Sequence, residues 1–175
     1  MKPRIYFSIE TKIRELNARV LFALKASKKG YSVVIGSRAH LTKFRKYLKT
    51  GVFISNGNTK RLANLSKSFS DIGFNVGHLD EEGAITFDFV HHIFRYDFDV
   101  FKKIDFFFSS GEREKDAILA NNLKGNPEKK ISVTGNTRFD LLDKKFIPLY
   151  NEELKNIKEK YGEYILITTK FNKIN

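Results

Sequence analysis

Short apolar runs with strand-like alternation and longer stretches of helical period follow one another along the chain. That rhythm predicts successive βα units around a parallel sheet with helices on both faces. The first strand is expected at Arg4-Ile5-Tyr6-Phe7-Ser8. Behind it Ile13, Leu16, Val20 and Leu24 recur at helical spacing, and Gly30 stands where that helix should stop. Ser32-Val33-Val34-Ile35-Gly36 reads as the second strand. Leu41, Phe44 and Leu48 then lay one apolar stripe on a helix whose other side carries Lys43, Arg45, Lys46 and Lys49. Gly51 follows it, and Val52-Phe53-Ile54-Ser55 is the third strand.

The Asn56-Gly57-Asn58 turn precedes a helix marked by Leu62, Leu65 and Phe69, and a strand from Phe74 to Leu79 runs into Asp80-Glu81-Glu82-Gly83. One or two short aromatic-rich helices are expected within 84–102. Ile104 to Phe108 is nearly all apolar, as a strand covered on both faces should be. Ser109 or Ser110 caps the next helix, with Glu112 and Glu114 in its first turn where negative charge meets the positive end of the dipole. Lys130 to Thr134 is a further strand, entering Gly135-Asn136-Thr137-Arg138 and a short helix with Phe139, Leu141 and Leu142. A connector around Pro148, a helix to Lys160 and a last strand from Tyr164 to Thr168 complete the series. A strand needs neighbours, so this last one is either an edge strand of the same sheet or the opening of a second, truncated domain; truncation is the favoured reading.

Composition changes this picture little. The 175 residues are 41% hydrophobic with 17 Phe and 7 Tyr, which excludes a disordered or collagen-like chain, and 30% charged residues exclude an integral membrane protein. There is no cysteine, which removes disulfide scaffolds, thiolate metal sites and cysteine nucleophiles. The amino-terminal residues lack an apolar stretch of signal-peptide length, and a cytoplasmic chain is expected. The net charge of +12 favours anionic partners, yet the basic residues are dispersed, which weakens a nucleic-acid stripe and fits a solvated coat equally well.

In an open parallel sheet, ligands bind beyond the carboxyl ends of the strands. The residues there are Glu10, Gly36-Ser37-Arg38, Asn56-Gly57-Asn58, Asp80 to Gly83, Ser109-Ser110-Gly111 and Gly135 to Arg138, small or polar almost throughout. Turn geometry alone also selects such residues. Asp80, Glu81 and Glu82 stand out. Three adjacent carboxylates repel one another, so one retains its proton as an acid–base group requires; the alternative is a helix-start acidic cluster. His78 shares the face of Asp80 by strand alternation, or is simply a buried, satisfied histidine. Gly135 to Arg138 offers either backbone amides and a guanidinium for an anion, or a positive-φ glycine with a cap. Glu10 and Arg14 are four apart and suited to an ion pair. No dinucleotide or P-loop glycine motif is present, and His91-His92 lacks partners at metal-ligand spacing, so no metal site is expected.

Glu10 with Arg14-Glu15-Leu16, Val33-Val34-Ile35-Gly36, His78-Leu79-Asp80-Glu81-Glu82-Gly83, Val133 to Leu142 and Tyr164 to Thr168 resemble, in order, the amino-terminal half of the surface carbohydrate biosynthesis proteins, glycosyltransferases of GT-B type. Thr137 and Lys170 stand where that pattern has proline and asparagine. The resemblance implies a Rossmann-like acceptor-side domain over 1–148, a connector helix over 149–163 and the start of a truncated carboxy-terminal domain from 164. It implies Asp80, Glu81 and Glu82 as acceptor-binding or acceptor-deprotonating residues, with Glu10, Arg14, Gly135, Asn136, Arg138 and Asp140 lining or bracing the cleft. No cofactor is expected in this chain, because the nucleotide-sugar donor would sit mainly in the carboxy-terminal domain; this half alone would not turn over. The resemblance implies a glycan or lipid-linked acceptor, and the basic surface points to peripheral contact with the inner face of an anionic membrane; the alternative from another class is a basic nucleic-acid-binding module. Val133 to Thr137 and the His78 to Gly83 segment are also similar to the UDP-N-acetylglucosamine 2-epimerase fold, which shares the two-domain plan.

Overall fold

The computed structural model describes residues 2–56, 60–83, 88, 89, 96, 101–120 and 127–167. Gly57, Asn58, His91, His92, Lys170 and most of the helices expected within 84–102 lie outside them. The chain divides into two compact units, Met1–Leu141 and Leu142–Asn175.

The first unit holds one parallel sheet of β1 (Arg4–Ile9), β2 (Ser32–Ser37), β3 (Val52–Asn56), β4 (Asn75–Leu79), β5 (Phe106–Ser109) and β6 (Ile131–Val133). The strands lie in the order β2-β1-β3-β4-β5-β6. Their crossovers carry α1 (Lys12–Lys28), α2 (Arg38–Phe44), α3 (Lys60–Ser70) and α4 (Glu112–Ala120). From β1 the chain first steps to one side, to β2, and then back across β1 to β3. Right-handed crossovers therefore put α1 on one face and the other helices on the opposite one, giving a Rossmann-like α/β fold.

Strand alternation sorts the core accordingly. Ile5 and Phe7 of β1 meet Phe22 and Ala26 of α1, together with Ile54, Leu79 and Phe108. Tyr6, between them, points to the opposite layer of Leu41, Phe53, Phe69, Phe74, Val76, Phe107 and Ile118. There Phe53 and Phe69 stack with centroids 3.8 Å apart, and the Phe74 ring meets Phe69 edge-on at 5.3 Å.

Four expectations are corrected. The stripe of Ile13, Val20 and Leu24 on α1 faces outward, Ile13 being 97% exposed; the buried side is Glu15, Ala18, Arg19 and Ala26. The small Ala18 and Ala26 let the helix lie close to the sheet, and the charged pair of Glu15 and Arg19 on the same side is held as described below. The second helix stops at Phe44 and continues as a 3-10 turn, Arg45–Tyr47, after which Leu48 is extended. β5 begins only at Phe106, whose ring is 44% exposed, so this strand is not covered on both faces. Residues Tyr164 to Ile167 are exposed and form no strand, for among the described residues no neighbouring strand takes their hydrogen bonds.

The second unit contains a 3-10 segment, Lys144–Tyr150, started by Asp143, whose side chain accepts from the Lys145 amide at 3.1 Å. It leads into α5 (Asn151–Tyr161), which ends at Gly162 with φ of 68°. Among the described residues, no helix is long and apolar enough to cross a membrane.

Candidate functional site

Parallel pairing aligns the carboxyl ends of the strands: Ile9 stands beside Ser37, Asn56 beside Leu79, and Ser109 beside Val133. The polar segments that follow the strands thus share one rim, with β1 and β3 at the point where the winding reverses.

The centre of that rim is a buried charge network seeded by α1. Glu15, in its first turn, accepts from the backbone N–H groups of Glu10 at 3.1 Å and Thr11 at 2.9 Å, satisfying donors that a helix start leaves free. It also accepts from Asn56 Nδ2 at 3.3 Å. One turn on, Arg19 lies with its guanidinium 3.8 Å over the Phe7 ring. Arg19 Nη2 is 2.6 Å from Glu81 Oε1 and 3.8 Å from Glu15 Oε2, and Nη1 donates to Thr137 Oγ1 at 3.1 Å. Arg19 and Glu15 are wholly buried. Two carboxylates thus share one guanidinium, with the charge of Arg138 also acting on Glu81.

Burial is the main influence raising the Glu81 carboxyl above its ordinary range; Arg19 opposes it and Glu15 adds to it. Glu81 Oε2 has no hydrogen-bond partner among the described residues. A buried carboxyl with raised proton affinity is the kind of group that acid–base chemistry uses.

The acidic triplet does not act as one patch, because its members point three ways. Asp80 is buried on the aromatic side, where it accepts from Tyr96 O–H at 3.0 Å and from the Glu82 amide at 2.9 Å. Tyr96 also donates to Glu114 of α4, which accepts from Ser109 Oγ at 3.0 Å, Ser110 N–H at 2.5 Å and Ser110 Oγ at 2.8 Å. Burial, then Asp80 and Glu114, raise the tyrosine's proton affinity, so it stays a neutral donor. A Cβ on Gly83 would stand 2.1 Å from Glu114 Oε1, so only glycine fits that close approach. Glu82 is exposed.

The other expected residues are placed as follows. Glu10 pairs with Arg38, not with Arg14, since Arg38 leaves β2 directly beside the end of β1. Arg14 lies 3.5 Å from Glu15. Gly135 has φ of 80°, the backbone reading of that glycine. Its amide and that of Thr134 both donate to Ser109 O, and the Arg138 amide donates to Asn136 Oδ1. The amides of Gly135 and Arg138, two of those expected to meet an anion, are thus engaged inside the fold. Asn136 is buried and braces the acidic loop, donating to Glu81 O at 2.9 Å. Asp140 pairs with Lys25 at 3.0 Å on the surface. His78 is buried, stacked on Phe107 at 5.2 Å. Among the described residues no group of His, Asp and Glu could hold a metal ion.

Sequence reading missed Arg19, placed Arg38 on the rim without its partner Glu10, and gave Glu114 only the part of a helix-start charge. The usable signal for the first was a Glu15–Arg19 pair at i,i+4 in register with Ala18, Phe22 and Ala26, that is, charge within a small-residue stripe.

Among the described residues, hollows of two kinds flank this rim. A cleft of about 730 Å³ lies between the ends of β1 and β2 and helices α2 and α3. An apolar groove of about 520 Å³ runs along the α1 face past Phe22, Ile54, Leu79 and Phe108 to Thr137.

No protein-family model matches the chain, and no curated protein does. Among solved structures, one assigned as a UDP-N-acetylglucosamine 2-epimerase from Listeria monocytogenes is similar over 81% of this chain, with 17% identity and a TM-score of 0.54. The chain spans 47% of that structure, about half its length. Likeness at this identity shows the shared Rossmann-like fold.

Proposed function

We propose that the chain is the acceptor-side half of a GT-B-type glycosyltransferase of surface polysaccharide biosynthesis, which moves a sugar from a nucleotide-sugar donor to a glycan or lipid-linked acceptor. The observation that carries this reading is Glu81: buried at a strand end, braced by Arg19 and Asn136, and with Oε2 unpartnered. In the transfer, the acceptor hydroxyl gives its proton to Glu81 Oε2 while its oxygen bonds to the anomeric carbon of the donor. The bond from that carbon to phosphate breaks, and the nucleoside diphosphate leaves with the electron pair. Arg19 holds the carboxylate in place, and Asp80 with Glu114 fixes the loop that carries it. The donor is assigned to a carboxy-terminal half.

The test is the whole reading frame containing this chain, assayed with nucleotide sugars and glycan acceptors. Glu81→Gln is expected to lower kcat by about 100-fold or more, the usual scale of a lost general base, without unfolding the protein. Unchanged kcat removes Glu81 from the chemistry.

A second reading, a 2-epimerase half, is supported by the Listeria structural neighbour. Inversion at sugar C2 of UDP-N-acetylglucosamine without an added acceptor would select it; acceptor-dependent release of the nucleoside diphosphate selects transfer. A lipid-linked acceptor also brings the +12 chain to a membrane surface. Salt-dependent binding to anionic vesicles is then expected, and equal binding to neutral ones would dismiss it.

A further inference from the structure

The cleft at the β1–β2 end of the rim has a chemistry of its own. Among the described residues its wall carries Arg38, Lys43 and Arg45 against the carboxylate of Glu10. Arg38 has only 17% of its side chain exposed, and Glu10 is its charged partner, half in solvent. Arg45 is fixed in place, donating through Nη1 to Thr42 O at 2.7 Å. Each guanidinium carries five donors in a rigid fork, and the contacts above use only part of them. The hydroxyls nearby are committed: Thr42 Oγ1 donates to Arg38 O, and Ser37 Oγ bonds His40. The Asn64 amide on α3 bonds nothing among the described residues, and Leu62 and Leu65 form an apolar floor.

We propose that this cleft binds the oxyanion of a charged sugar, a phosphate or a carboxylate, with Arg38 and Arg45 on the anion, Asn64 on sugar hydroxyls and the leucine floor against the C–H face of the ring. Two guanidiniums lining one hollow suit a planar or tetrahedral oxyanion, which such a fork can bind through two parallel hydrogen bonds. The volume falls within the range of small-ligand sites, roughly 300–1,000 Å³. The proposal names the substrate class of the rim and rests on the sugar-handling reading for the body of the ligand. Its acceptor would be an acidic or phosphorylated sugar rather than a neutral one.

Titrating the chain with glucose 6-phosphate, glucuronate and glucose, by calorimetry or by NMR shifts, tests it without a donor. At least one of the two anions is expected to bind about tenfold or more tightly than glucose, more weakly as salt rises, and Arg38→Gln or Arg45→Gln should remove that advantage. Binding of the phosphate alone or of the carboxylate alone identifies which oxyanion the cleft is built for. Because Arg38 also holds Glu10, the Glu10→Gln/Arg38→Gln double variant, which removes both charges of the pair, and Asn64→Ala are measured beside it, with melting curves for all. Neither anion outbinding glucose, or full binding in folded Arg38→Gln and Arg45→Gln, overturns the proposal. Anion binding by a protein whose whole reading frame transfers no sugar would keep the cleft and sink the transferase; transfer indifferent to these variants would do the reverse.

Discussion

On the α2–α4 side of the sheet, burial is achieved with rings: Phe53 on Phe69, Phe74 edge-on to both Tyr6 and Phe69, and Tyr96 edge-on to Phe107. On the α1 side the corresponding space near the rim is filled by Glu15, Arg19 and Glu81, three charged groups held by each other, by backbone amides and by Asn56. The stacked rings of the first arrangement gain from removing apolar surface from water, a term that does not titrate. The second depends on every charge keeping its partner, since a lone buried charge is costly. It teaches that the α1 face has given up some packing for a prearranged ionic site.

The comparison is sharpest where both sides are cut hard. Phe69→Ala and Arg19→Leu should each cost about 3–5 kcal/mol in urea unfolding, the first by leaving a cavity and the second by orphaning two carboxylates. They part on acidification. Acid neutralises carboxylates, so the Arg19→Leu deficit shrinks while that of Phe69→Ala stays; parallel pH behaviour would break the contrast. Glu114→Gln should cost less, about 1–3 kcal/mol, because an amide NH₂ is turned toward the Ser109 and Ser110 donors.

Glu81→Gln tests the ionic side from the opposite direction. Burial holds that carboxyl above 4.5, so the folded chain keeps a proton that the unfolded chain has already released. Parent stability therefore falls as pH rises through 4.5 and upward, and the variant lacks that decline. Thermal melts should show the variant gaining on the parent from mildly acid to neutral pH; a gap independent of pH would contradict the raised proton affinity. Smallest of all, Lys25→Ala removes the half-exposed pair with Asp140 and should change stability by about 0–1 kcal/mol in the same melts.

Much of the sheet was legible because its strands are short apolar runs ending in polar turns: β1, β2, β3 and β4 fall within a residue or two of where alternation puts them. So was the rim, since parallel strands bring their carboxyl ends together whatever the side chains. The facing of α1 was not. Two stripes at helical period compete on it, Ile13-Leu16-Val20-Leu24 and Glu15-Ala18-Arg19-Phe22-Ala26, and hydropathy favours the wrong one. What decides is the sheet's need for a close neighbour and the partners waiting for Glu15 and Arg19, which come from β3, the loop after β4 and the turn after β6. Periodicity in one segment carries no information about them. The same holds for Asp80, Glu81 and Glu82: adjacency predicted repulsion, whereas the sheet sends them to separate partners.

Arg19 and Thr137 stand 118 residues apart in sequence yet share a hydrogen bond. Ordering the chain between them is an entropic toll that local contacts do not repay, so such pairs close late in folding. A ribosome must have released β6 and the turn after it before Arg19 meets its last partner.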